Sequence, residues 1–446
     1  MTEAQTRPPD SSTASSARNW RDLVASTEID TRLFGMIVAL VLIWIGFHVM
    51  SHGDFLTSRN LWNLSVQSAS IAIMATGMVL IIVSRNIDLS VGSLLGFLGY
   101  TMAMVQTDWL PKTFGLGFGH WYTWIVALAV GIALGALIGG VQGFIVAYGG
   151  VPAFIVSLGG FLVWRGLIFR LGKKGQTLAP LDRNFQLLGG GAHGALGEWK
   201  SWALALVACV AIVLSLYTSR RRRQRYDLVL RPIGVDVGIG VFGCATVLGS
   251  IWLVANRYIS PITHKPTGVA YPVVILVLVT LAMSYLAQRR RFGRYVYAYG
   301  GNPEAAELGG INTRKTIMYT FVLMGVLCSL SAAVQTARLN AAVTNLGVQN
   351  ELDVIAAAVI GGTSFSGGIG TIPGAVLGAV IMQSLRSGMV LLRIDSPSQD
   401  IVVGVVLVTA VAVDAALRLR RRSGVAAALL TGLIVSAVII QTGRGH

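Results

Sequence analysis

GGNPEAAELGGIN, residues 300–312, is built of small and polar residues between two long apolar runs, and its reading decides the fold around it. Asn302 is a good N-cap, Pro303 suits the first helical position, and Glu304 lies where the helix dipole favours an anion. Ala305, Ala306 and Glu307 continue a short helix, and Gly309 or Gly310 takes the left-handed conformation that stops it. Gly300 and Gly301 let the backbone turn sharply into it. A helix of about two turns is unstable alone in water, so this one needs support from its flanking spans or from a partner. A proline at Ala305 is expected to break so short an element.

The surroundings are those of a membrane protein. The chain is 54% hydrophobic and 12% charged, with a mean hydropathy of +0.68, whereas soluble domains carry about 25% charged residues. The net charge of +16 invites a nucleic-acid reading, but 20 of the 35 Lys and Arg residues fall in the N-terminal tail, 219–231, 288–315 and 418–422. All four segments flank apolar runs, which is how positive residues mark the cytoplasmic side. The basic balance therefore reports topology, and no nucleic-acid partner is expected.

At about 20 residues per span, apolar runs occur near 33–50, 61–83, 88–106, 121–148, 151–170, 201–218, 233–256, 269–286, 316–337, 372–392, 400–417 and 424–441. A weaker run lies at 351–366. The expected fold is an all-α polytopic membrane protein of about 12–13 transmembrane helices, broken or re-entrant segments included. Each arginine-rich segment must lie on one side, so an even number of crossings must separate them. Six spans precede Arg220–Arg225 and two more precede Arg289–Arg291. From Lys315 to Arg418 parity requires 351–366 to cross or dip, as a helix broken beside a Gly-rich turn. Residues 1–32 lack the pattern of a cleaved signal peptide and are expected to form a disordered cytoplasmic tail.

Soluble chemistry finds no footing. GIGVFG at 238–243 matches a dinucleotide-binding pattern but lies inside an apolar span, where it reads as helix packing. There is no GxxxxGK[ST], so ATP cannot be bound through a phosphate loop of this chain. The six histidines and three cysteines show no metal-ligand spacing, and no metal site, cofactor or catalytic residue is expected. Gly131, Gly135, Gly139 and Gly143 recur four apart and make a smooth face for close helix packing. Charges expected inside spans are Arg165, Asp236, Arg386 and Asp414, with Asp236 and Asp414 at the interface and no glutamate at depth. So few carboxylates disfavour an ion-coupled carrier.

Two polar breaks are candidates for lining a passage for a neutral polar solute. SRNIDLSVGS at 84–93 offers Asp88, which can cap a helix starting near Leu89, and Ser90. GGTSFSGGIGTIPG at 361–374 offers Gly361, Gly362, Thr363 and Ser364.

IDLSVGS at 87–93, FGRYVYAYGGNPEAAELGGIN at 292–312 and IAAAVIGGTSFSGGIGTIPGAVLGAVI at 355–381 together resemble the membrane permease subunits of bacterial sugar ABC importers. These are the branched family that includes ribose and xylose permeases, and the likeness covers about residues 33–422. VPAFIVSLGGFLVWRGL at 151–167 and the inserted pair of spans around 219–231 look most like the xylose permeases. The resemblance implies uptake of a monosaccharide delivered by an extracytoplasmic sugar-binding protein. It further implies a permease homodimer in membrane lipid and a separate cytoplasmic ABC ATPase that uses the ATP. It makes 302–309 a coupling helix, within a coupling loop 288–315, that docks on that ATPase. Residues 423–446 depart from the family as an extra C-terminal hydrophobic segment, expected to cross once more.

Overall fold

The computed structural model describes residues 31–116, 118–172, 175–191, 194–227, 232–259 and 264–420. The expected N-terminal tail, except for its last two residues, and the additional span at 424–441 lie outside the described residues. Helices run from α1 (Thr31–Met50) through α2 (Ser58–Val83) to α3 (Val91–Met104), which continues as a π-helix, Val105–Thr113. Then follow α4 (Thr123–Ala147), α5 (Ala153–Leu171), the single turn α6 (Arg183–Leu187), α7 (Glu198–Arg225) and α8 (Ile233–Ser250), which ends in a π-segment, Ile251–Asn256. The second half comprises α9 (Tyr271–Arg289), α10 (Arg291–Gly301), α11 (Pro303–Leu308), α12 (Thr313–Leu339), α13 (Asn350–Ile360), α14 (Ile372–Leu391) and α15 (Ser396–Arg420). No strand occurs among the described residues, only isolated bridges.

Nine of these helices are long and apolar enough to cross a membrane. The expected spans at 88–106, 351–366 and 400–417 are also present, as α3, α13 and α15, but fall outside that length-and-composition set. The chain is thus an all-α polytopic protein.

Burial sorts the helices into a centre and a periphery. In the apolar stretch of α2 94% of residues are buried and in that of α12 67%, whereas none is fully buried in those of α1 and α8. The most extensive helix–helix interface joins α12 to α4, through the glycine face. A Cβ on Gly135 would collide with the Gly325 backbone and Ser329, and one on Gly139 with the Phe321 carbonyl. Ser329 Oγ donates to the Gly131 carbonyl at 2.8 Å. Without a hydrophobic drive between helices in lipid, this close backbone approach supplies the packing, as the four-residue spacing anticipates. In α8, Gly240 and Gly243 of the GIGVFG stretch lie against Leu216 and Ile212 of α7.

Parity is met by a broken crossing. After α12 the chain returns through 340–349 in irregular conformation, then runs through the eleven-residue α13 to the face that carries the arginine-rich turns. Irregular backbone at such depth is tolerated only inside protein or beside water. Here Gly347 packs on the Gly92 backbone and Arg165 donates to the Leu346 carbonyl at 3.2 Å. α13 and α14 form a close hairpin, because Gly361 and Gly374 abut and a Cβ on Gly378 would strike the Ala357 carbonyl.

Candidate functional site

Three places bring the polar residues of the spans together. The first is the arginine-bearing face. Asn302 Oδ1 accepts from the Ala305 amide at 3.1 Å and caps α11, with Pro303 at its first position and Glu304 in its first turn. Gly310 rather than Gly309 takes the left-handed conformation, at φ 78° against −74°, and the Ile311 amide closes the turn on the Ala306 carbonyl. Ala306 faces inward and is buried, while Leu308 stands 90% exposed at the tip beside the exposed Glu304 and Glu307.

Two expectations here are corrected. Gly300 and Gly301 close α10 rather than make the turn, which falls at the extended Asn302. Gly300 is needed because a Cβ there would overlap the Val83 carbonyl and approach the Gly368 amide. The Ala305 amide binds only the cap, so a proline there deletes one capping bond in a first turn that otherwise tolerates it.

The base of α11 is tied to two other elements. Arg85, at the end of α2 with a left-handed φ of 59°, donates from Nε to the Gly300 carbonyl at 2.8 Å and from Nη2 to the Gly301 carbonyl at 2.9 Å. The Gly368 amide donates to the Val83 carbonyl at 3.0 Å and Tyr297 Oη to the Gly370 carbonyl at 2.7 Å. Burial pushes the Tyr297 phenol up to about 12, so it remains a donor. Gly361, Gly362, Thr363 and Ser364 therefore lie at this end of the hairpin, in the loop joining α13 to α14. Gly361, Thr363 and Ser364 are buried, and Ser364 and Ser366 hydroxyls bond at 2.7 Å.

The second place lies where the turn between α2 and α3 meets the start of α13. Asp88 Oδ1 accepts from the Ser90 amide at 2.8 Å and the Ser90 hydroxyl at 2.6 Å, and Gln142 Nε2 donates to Ser90 Oγ at 3.0 Å. Asp88 and Ser90 are both buried. The expectation of a cap at Leu89 is corrected: Asp88 closes an Asx-type turn onto Ser90, and α3 starts at Val91. Across Gly92 stands Glu351 of α13, 8% exposed, whose Oε2 accepts no hydrogen bond among the described residues. The reading that no glutamate lies at depth is thereby overturned. Its cause is that parity, not composition, places 351–360 within the bundle. Asp236, by contrast, pairs with Arg220 at 2.7 Å near the basic turn, as an interfacial residue does.

The third place is a cavity of about 140 Å3 between α2, α12, α13 and α14, towards the opposite face. Gln67, Gln335, Asn350, Asp353, Gln383 and Arg386 line it. Gln383 Nε2 donates to Gln67 Oε1 at 2.6 Å and Asn350 Nδ2 to Gln335 Oε1 at 3.0 Å. Arg386 donates from Nε and Nη2 to the same Asp353 oxygen, at 3.1 and 2.9 Å, and its Nη1 lies 3.9 Å from Asp400. Arg338 lines it too, so four amides, two arginines and Asp353 surround it with hydrogen-bond donors and acceptors, which suits a polyhydroxylated solute. Sequence reading found only Arg386 here. The available signal was the spacing of Gln67 with Ser70 and of Gln383 with Arg386, three apart on one helix face inside apolar runs. Asp88 and Ser90 do not touch this cavity, and the cavity and the 361–364 loop occupy opposite ends of one hairpin.

The model of the branched-chain amino acid transport system / permease component family matches residues 60–411. A xylose transport system permease protein, XylH of Escherichia coli K12, is 37% identical over 394 residues, covering 88% of this chain and 94% of that protein. XylH of Haemophilus influenzae is 36% identical over 389 residues, 86% of this chain and 96% of its own. The ribose import permease protein RbsC of Escherichia coli K12 is 35% identical over 361 residues, 81% and 87% respectively. No solved structure matches. The relatives are named as transport permeases, not enzymes, and with nine apolar helices among its described residues this chain belongs to the branched-chain amino acid transport system / permease component family as a multi-pass membrane permease.

Proposed function

We propose that the chain is the transmembrane subunit of an ATP-driven importer that moves a pentose, xylose above all, into the cytoplasm. The observation that carries this reading is the amide-lined cavity, set at the far end of the hairpin whose other end meets the end of α10, which leads into α11. In this reading the arginine-bearing face and the N-terminus are cytoplasmic, and a cytoplasmic ATPase that uses the ATP docks on α11. Leu308 is its apolar anchor, flanked by Glu304 and Glu307. An extracytoplasmic sugar-binding protein delivers to the opposite face, and two copies of the chain assemble in the lipid bilayer. The XylH relatives favour xylose and the RbsC relative keeps ribose as the nearest competitor.

A second reading has one specific observation behind it. Glu351 and Asp88 are buried carboxylates in the bundle, which proton- or sodium-driven carriers use. The two readings separate in proteoliposomes holding the chain, its ATPase and the binding protein. Xylose uptake is expected to need ATP and the binding protein, and to survive collapse of proton and sodium gradients. Uptake that follows the proton gradient without ATP overturns the proposal. Gln383→Leu in the same vesicles deprives Gln67 of its partner and is expected to raise the KM for transport while the ATPase still co-purifies. An unchanged KM would remove the cavity from the pathway.

A further inference from the structure

The α7–α8 hairpin stands away from the rest of the bundle. No residue of α8 is buried, and the pair meets the core chiefly through the π-segment 251–256, which packs on α2. Between this arm and the core lies a cleft of about 660 Å3. That is within the roughly 300–1,000 Å3 range of small-molecule sites. Its walls come from Trp44 of α1, Leu64 and Ser68 of α2, Gly249 and Trp252 of the arm, and Val273 of α9. All of these lie in the half of their helices farther from the arginine-rich turns, so the cleft belongs to one leaflet. In the orientation proposed above, that is the outer one.

Apart from the Ser250 hydroxyl and Trp252 Nε1, the polar side-chain atoms in these walls are already engaged. Trp44 Nε1 donates to Ser384 at 2.9 Å and Trp62 Nε1 to the Gly268 carbonyl at 3.0 Å. The hydroxyls of Ser65, Ser68 and Thr246 each donate to a carbonyl of their own helix, at 2.7, 2.7 and 2.8 Å. Such a cavity offers water few partners and offers a sugar little to bind. It suits hydrocarbon. At the level where α8 gives way to the loop, the Arg257 guanidinium lies 4.7 Å from the centre of the Trp252 ring that lines the cleft. A cation held on an aromatic face at the membrane interface matches a lipid phosphate.

We infer that the cleft holds one acyl chain of an anionic phospholipid, with the headgroup phosphate against Arg257. The lipid fills the gap between arm and core and is held apart from the lipids that merely surround the bundle. A second copy of the chain is the competing occupant.

The test uses the full chain in phosphatidylethanolamine vesicles containing phosphatidylglycerol with a diazirine on its acyl chain. After photolysis, label is expected to concentrate on the peptides containing residues 61–68 and 245–252. A matched phosphatidylethanolamine probe should label these peptides less, by about fivefold, the factor that about 1 kcal/mol per arginine near a membrane surface gives. Arg257→Gln should remove that difference. A Cβ on Gly249 meets nothing within 4 Å, so Gly249→Leu and Gly249→Trp can enter the cleft without disturbing the helix. Both should empty it of label and leave labelling elsewhere unchanged. Uniform labelling of all lipid-facing helices overturns the site. Cross-linking between two copies through a photoreactive residue at 249 overturns it in favour of a protein interface, and equal labelling by both probes overturns the headgroup assignment. These outcomes do not depend on which solute is carried.

Discussion

Arg85→Asn tests whether α11 is mechanically joined to the hairpin that lines the cavity. Asparagine keeps the left-handed backbone that Arg85 adopts but cannot reach the two carbonyls at the end of α10. Hydrogen bonds to a charged group contribute about 1.5–3 kcal/mol each. The guanidinium is partly in solvent, and only the bond from Nε is part-buried. Screening reduces the pair to about 2 kcal/mol in all. That corresponds to a roughly thirtyfold shift between the joined and parted arrangements. The Gly368–Val83 and Tyr297–Gly370 bonds remain, so the protein should insert normally and retain its ATPase. What should fail is the conversion of ATP hydrolysis into transport. Sugar transported per ATP, measured in proteoliposomes, should drop by about an order of magnitude, with partial recovery in Arg85→Lys. Arg85→Asn,Tyr297→Phe should lose more than either change alone. A wild-type ratio in that double variant would refute the idea that this junction carries coupling.

Two further substitutions probe the helix and the packing. Glu307→Pro places the ring inside α11 and should cost about 3 kcal/mol, abolishing ATPase co-purification. Ala305→Pro, which loses only the cap to Asn302, should cost about 1 kcal/mol and weaken co-purification partially; equal loss in both would show that the cap carries the helix. Gly135→Leu drives a side chain into the Gly325 backbone, and such overpacking costs about 1–3 kcal/mol or more. The amount of folded permease in the membrane, followed by fluorescence-detected size exclusion, should fall sharply, and a normal yield would show that α4 and α12 can separate.

The sequence by itself determined the class of the molecule and much of its punctuation. Long apolar runs can satisfy their backbone in lipid only as helices, so the spans at 33–50, 372–392 and their like follow from composition and length. The Asn302–Pro303 start and the glycine stop of α11 are local chemistry, legible in a few residues, as is the four-residue glycine face of α4. Even the broken crossing at 351–366 follows from counting arginines. Tertiary structure decided what burial and proximity mean. Whether Gly300 turns the chain or admits Val83 depends on a helix more than two hundred residues earlier. The depth of Glu351 depends on where 340–349 folds back. The cavity exists only because Gln67, Gln335, Asn350 and Gln383, each on a different helix, are brought together by packing. Hydrophobic patterning fixes which segments enter the membrane, but it is blind to which of their polar faces meet, because that is settled by close contacts between helices far apart in the chain.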